Sequence, residues 1–127
     1  MINPEEILAF AEILHKTNYN NLKNIEVVKR TVIGRAYYAT YHKALNSPKA
    51  ESFEKPTKDC HKKLIEFYKE NGADNILISR KLSKLRQLRN KADYNLSVEI
   101  KFTDIKNAIS DAKEIFKLLQ LILNYNY

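Results

Sequence analysis

Residues 30–45 read RTVIGRAYYATYHKAL, and two helical spacings run through them. Continuing from Ile25 and Val28, the residues Val32, Ala36 and Ala39 recur every three or four positions, the pattern of a helix stripe turned toward a core. Arg35, Tyr38 and His42 follow at i, i+3 and i+7, so a cation, a phenol and an imidazole share a second stripe beside the first. Such a set either ties the helix to a neighbour as a partly buried polar network or holds a ligand. Both readings stay open on spacing alone.

The segments before this helix read in the same way. Asn3-Pro4-Glu5-Glu6 is a helix start: Asn caps, Pro fits the first turn, and two acids suit the positive end of the dipole. Ile7, Phe10, Ala11 and Leu14 supply its apolar stripe, and the helix is expected to end near Lys16, before a polar run over 17–21. The second helix is then expected over residues 22–45, with Gly34 in its interior at a local cost of about 1 kcal/mol.

Beyond it, residues 46–56, NSPKAESFEKP, are charged, hold two of the three prolines, and read as a mobile loop. Thr57 or Asp59 is placed to cap a third helix whose inner face is Cys60, Leu64 and Phe67, and Asn71-Gly72 ends it. A fourth helix is expected over 75–92, with Leu82, Leu85, Leu88 and Ala92 inside. Arg86, Arg89, Asn90 and Asp93 lie beside that stripe at i, i+3, i+4 and i+7, and Arg89 is spaced to pair with Asp93. Residues 95–101 lack a helical period and read as an extended connector. Thr103-Asp104 opens the last helix, whose stripe of Ile105, Ala108, Ile109, Ala112, Ile115, Phe116, Leu119, Ile122 and Leu123 is the cleanest in the chain; residues 124–127 are expected to fray.

These elements predict a single all-α domain, an up-and-down bundle of about five helices. Two glycines and three prolines in 127 residues leave little turn chemistry for an all-β fold. One cysteine, Cys60, allows no internal disulfide and fits a reducing cytoplasm. The opening MINPEEILAF carries acids where a secretory leader carries lysines, and no apolar run reaches membrane-spanning length. There is no glycine-rich phosphate loop, no nucleophile elbow and no zinc spacing. The histidines at 15, 42 and 61 are scattered, so no metal or cofactor is expected.

The formal charge of +7 is unevenly placed. Residues 55–91 hold eleven Lys or Arg against four Asp or Glu, and the rest of the chain holds eleven of each. All the net positive charge therefore sits in one third of the sequence, where it would attract phosphates; the plainer reading is a solvated helical surface.

The chain resembles the HEPN superfamily of small prokaryotic helical proteins, in particular the branch with R-A-Y-Y-A and R-x-x-A-D-Y helices. The matching residues are Arg35-Ala36-Tyr37-Tyr38-Ala39 with His42, then His61, then Arg89-Asn90-Lys91-Ala92-Asp93-Tyr94. The resemblance implies a helical bundle that is often dimeric, and the breadth of the last helix's apolar stripe adds to the expectation of a homodimer. It also implies either a metal-independent endoribonuclease or a toxin or defence protein encoded beside a nucleotidyltransferase. The family's catalytic motif is an Arg, often followed by a polar residue, with a His four to six residues further on. Arg89 and Asn90 match its start, and Tyr94 stands where the His is expected. A phenol with a pKa of about 10 is a poor base at neutral pH, whereas an imidazole at about 6.5 is well matched. His42 would supply the missing imidazole if its helix packs against the one carrying Arg89.

Three function classes follow. In a ribonuclease, Arg89 and Arg35 would hold the phosphate, His42 or His61 would move protons, and the ribose 2′-hydroxyl would attack, with Asn90 and Tyr94 completing the motif. In a binding protein, the same cluster, with Tyr38, Arg86 and Asp93, would hold RNA, a nucleotide or a nucleotidyltransferase partner. In a structural module, these residues would be a buried network. The departure at Tyr94 tilts the expectation toward binding.

Overall fold

The computed structural model describes residues 2–17 and 25–121, the last of these for its backbone only. Five helices form an all-α bundle: α1 (Pro4–Lys16), α2 (Ile25–Leu45), α3 (Cys60–Glu70), α4 (Ala73–Tyr94) and α5 (Phe102–Leu121). No strand occurs among the described residues, and no helix among them is long and apolar enough to cross a membrane.

The helix ends follow local chemistry. The Asn3 side chain accepts from the Glu6 amide at 2.9 Å, and Pro4 opens α1. Gly72 closes α3 and leads into α4 at φ 111°, a backbone position that side chains rarely tolerate. At the start of α3, Asp59 takes the cap position in the left-handed region at φ 57° and makes no side-chain capping bond, and Thr57 lies outside the cap. Helix α5 begins one residue before Thr103, and Asp104 reaches back to accept from the Lys101 amide at 3.0 Å.

Helix α2 is the centre of the bundle and packs on α1, α4 and α5, while α3 packs on α4. Its expected stripe holds: Val32, Ala36 and Ala39 are buried and Val28 is partly buried. Ile33, Tyr37, Thr40, Tyr41 and Ala44 are buried as well. Consecutive residues lie about 100° apart on a helix, so burial of 32–33, 36–37 and 39–41 covers more than one face. Three hydroxyls taken inside find partners: Thr40 Oγ1 donates to Ala36 O at 2.7 Å, Tyr68 O–H to Ala44 O at 2.6 Å, and Ser79 Oγ to Ile65 O at 2.9 Å.

Several expectations need correction. Phe10 is exposed, and Leu8 takes the buried place on α1 beside Ala11. The 46–56 loop is anchored: Pro48–Ala50 form a 3-10 helix, Ala50 is buried, and the Phe53 ring meets Phe67 at 5.4 Å. The apolar breadth of α5 is used inside the chain, where Ile105, Ile109 and Phe116 are all buried, and so carries no argument for a dimer. Ile122, Leu123, the 124–127 tail and the start of the second helix at 22–24 lie outside the described residues.

Residues 95–101 form a non-helical connector, and α2 clamps it. The Arg30 guanidinium donates to Ala92 O at 2.9 Å, to Lys91 O and Asn95 O at 3.2 Å each, and to Val98 O. Glu26 holds the same guanidinium at 3.1 Å and also accepts from the Ile100 amide. One side chain thus supplies donors to carbonyls at and beyond the C-terminal end of α4, where positive charge is favoured; Lys91 O and Asn95 O also accept backbone amides.

Candidate phosphate-binding site

Three helices converge on a cavity of about 140 Å³. Helix α2 contributes Gly34, Arg35, Tyr37, Tyr38, Tyr41 and His42; α3 contributes His61; α4 contributes Arg89 and Asp93. The approach of α2 to α4 is close at Gly34, where an added Cβ would lie 3.5 Å from Asp93 Oδ1. That is ordinary contact distance, so the glycine is not sterically required. Gly34→Ala is expected to raise stability by about 1 kcal/mol through helix propensity, read as an increase in Tm; a drop would show that the two helices cannot yield.

The inner wall is aromatic. The His61 ring stacks on Tyr41 at 3.9 Å, and its Nδ1 lies 2.6 Å from the Tyr37 hydroxyl. Burial pushes the Tyr37 phenol up to about 12, so it keeps its proton. A protonated phenol beside a neutral ring fits donation from the Tyr37 O–H to Nδ1, which leaves the ring proton on Nε2. The Tyr41 hydroxyl shares a hydrogen bond with Cys60 Sγ at 2.7 Å, and its phenol is also pushed up by burial. At the rim, the half-exposed Tyr38 tilts over His42 at 4.3 Å, and the Arg35 guanidinium lies 5.0 Å from the Tyr38 ring.

Both imidazoles are held below their ordinary value of 6.5. For His61 the causes are burial first, then the charges of Arg89, Arg86, His42 and Lys55; for His42, burial and then Lys55. Positive charge around the cavity therefore works against further protonation. An anion there would reverse that effect.

The structure brings Arg35, Tyr38, His42, His61, Arg89 and Asp93 to one cavity, and α2 does pack against α4 as the Arg89–His42 pairing requires. Arg89 Nε meets Asp93 Oδ2 at 2.9 Å and Nη1 approaches Asn90 Oδ1 at 3.4 Å; neither contact uses Nη2. Three expected site residues lie elsewhere. Asn90 is exposed and touches the cavity only through Arg89. Tyr94 is 70% exposed, with Arg89 5.1 Å from its ring centre. Five residues advance the helix by about 500°, which turns position 94 well away from position 89. Arg86 lines a separate groove, although its charge reaches His61. Spacing alone missed Tyr37 and Tyr41 as wall residues. The signal was present, since rings at 37, 38, 41 and 42 make two adjacent aromatic stripes. No cluster of metal-ligating side chains occurs among the described residues.

The chain is 30% identical over 125 residues to the uncharacterized protein MJ0628 of Methanocaldococcus jannaschii, a match that covers 86% of this chain and 73% of that protein. The chain belongs to the same family as that archaeal protein. The relative is itself uncharacterized, so membership in this family brings no substrate with it. No family model matches the chain. No solved structure matches it.

Proposed function

We propose that this is a HEPN-type protein that binds a phosphate group of RNA, or of a nucleotide, in the cavity between α2, α3 and α4. The observation that carries the reading is the convergence of Arg35, Arg89, His42 and His61 on one small cavity, from three helices, with both imidazoles held below 6.5 by burial first and by nearby positive charge second. Guanidinium groups match phosphate geometry, and neutral imidazoles next to them gain a proton when the anion arrives. In this reading the protein acts in a prokaryotic toxin–antitoxin or defence system, as a homodimer with a nucleotidyltransferase partner. Both of those partners rest on the HEPN resemblance. Labelled single-stranded RNA should bind at low salt and lose about 100-fold in affinity between 50 and 200 mM salt, the consequence of about five phosphate contacts on a single strand. Binding indifferent to salt would contradict the proposal.

A second reading, a metal-independent endoribonuclease, is favoured by one observation: His42 and His61 share the cavity with the two arginines. One imidazole would take the proton of the ribose 2′-hydroxyl as its oxygen attacks phosphorus. The other would protonate the departing 5′-oxygen, leaving a 2′,3′-cyclic phosphate and a 5′-hydroxyl. One ring must be neutral and the other protonated. Since both pKa values lie below 6.5 in the free protein, kcat/KM for cleavage in EDTA, which reports the free enzyme, would peak on the acid side of that value and fall as pH rises.

A further inference from the structure

A groove of about 730 Å³ runs between α3 and α4. Five cations line it: Lys62 and Lys69 from α3, and Arg80, Lys84 and Arg86 from α4. Glu66 is its one acidic lining residue. Among the described residues none of the five cations lies in an ion pair or a hydrogen bond. Two other cations of α4, Lys81 and Lys91, are instead matched by Asp111 at 3.4 Å and Asp104 at 3.5 Å. Charge is thus neutralised where α4 faces α5 and left open where it faces the groove. Carbon from Ile65 and Ile76 lies among the cations.

The groove adjoins the cavity. Lys62 follows His61 on α3, and Arg86 sits one helical turn before Arg89 on α4. The Arg86 charge acts on both His61 and Tyr37 of the cavity wall. The cations of α4 at 80, 84 and 86 span about 9 Å of helix axis at 1.5 Å per residue, and those of α3 at 62 and 69 about 10 Å. A run of unpaired cations along those lengths fits successive phosphates, and the apolar carbons between them fit the faces of unpaired bases.

We propose that the groove between α3 and α4 is a track for the backbone of single-stranded RNA, leading a strand to the cavity at His42 and His61. The proposal rests on the RNA-binding reading of that cavity and adds the path by which a strand longer than one phosphate is held. It accounts for the concentration of net charge in residues 55–91, which the cavity alone does not use.

The test combines K69Q, R80Q and K84Q in one protein, leaving every cavity residue in place. The probes are a labelled twelve-nucleotide oligouridylate and the dinucleotide UpU, with Tm as the fold control. The combined variant should bind the oligomer at least tenfold more weakly at 100 mM salt. The slope of log affinity against log salt should fall by about 2, the share of three single-strand phosphate contacts. UpU affinity should stay within twofold. Unchanged oligomer affinity and slope would overturn the track; if Arg89→Ala still released the oligomer, the cavity reading would survive alone. Oligomer binding lost in the combined variant but kept in Arg89→Ala would support the track and remove the cavity. An equal loss for UpU, or a duplex that competes as well as the single strand, would overturn the proposal. No oligomer binding at low salt would overturn both readings.

Discussion

Arg30→Ala should lower the stability of the protein by about 3 kcal/mol, a shift of roughly 10 °C in Tm for a domain of this size. The expectation follows from what the guanidinium touches. Its side chain is 11% exposed, and it donates to four backbone carbonyls at and beyond the end of α4. Alanine removes the donors: Lys91 O and Asn95 O keep the backbone amides of Asn95 and Val98, whereas Ala92 O and Val98 O lose the guanidinium, and the negative end of the α4 dipole loses a cation. Glu26 also loses its cation and keeps only the Ile100 amide. Arg30→Lys should recover part of the loss, since an ammonium restores the charge but not the planar fork. Denaturant unfolding of the three proteins measures the series. A loss below about 1 kcal/mol for alanine would mean that water replaces the guanidinium freely.

Arg89→Ala should have the opposite profile, with RNA affinity falling by about 10- to 100-fold and Tm nearly unchanged. Its ion pair with Asp93 is an i,i+4 contact between side chains 27% and 37% exposed, and pairs of that kind contribute about 0.3–0.5 kcal/mol. A phosphate contact by a guanidinium in a partly closed cavity contributes considerably more. Asp93→Asn should tighten RNA binding, because it removes a carboxylate that competes with phosphate for Arg89. If the wild type cleaves RNA in EDTA, Arg89→Ala and His42→Ala should each abolish cleavage at unchanged Tm, the first by removing charge stabilisation and the second by removing a proton carrier. A Tm lowered by several degrees in both variants, with RNA binding intact, would make the cluster a structural network instead.

The parts of this fold that could be read from the sequence are those where one local pattern had one explanation. Asn3-Pro4, Gly72 and the α5 stripe from Ile105 to Leu119 are local in this sense, and the structure has them as the spacing requires. Helix α2 was harder because it is buried on several sides, and a single stripe at 32, 36 and 39 described only part of its packing. Spacing does not separate Phe10 from Leu8, because both are apolar and only packing decides which one turns inward. The role of Arg30 was invisible, since its acceptors are backbone carbonyls at least 61 residues away and carry no residue-type signal. The site shows the same division. The Arg35, Tyr38, His42 stripe and the Arg89–Asp93 pair follow from helical spacing, whereas the entry of His61 depends on how α3 lies on α4. Tyr94 stands at a motif position in the sequence, and helical geometry turns it outward.

His42 and His61 line one cavity, and on the proposed reading an anion enters it. The most direct measurement of that entry is an NMR titration of the two imidazoles, without and with saturating single-stranded RNA. In the free protein both should titrate below 6.5. The sign for stability follows: the unfolded chain then holds more protons, so the free protein should lose stability as pH falls from about 6.5 through the folded values. Bound phosphate favours each imidazolium, so RNA should raise both pKa values and its affinity should increase as pH falls through them. Two imidazoles that keep their free-protein pKa values while RNA is bound would contradict the account, because the phosphate would then lie somewhere else.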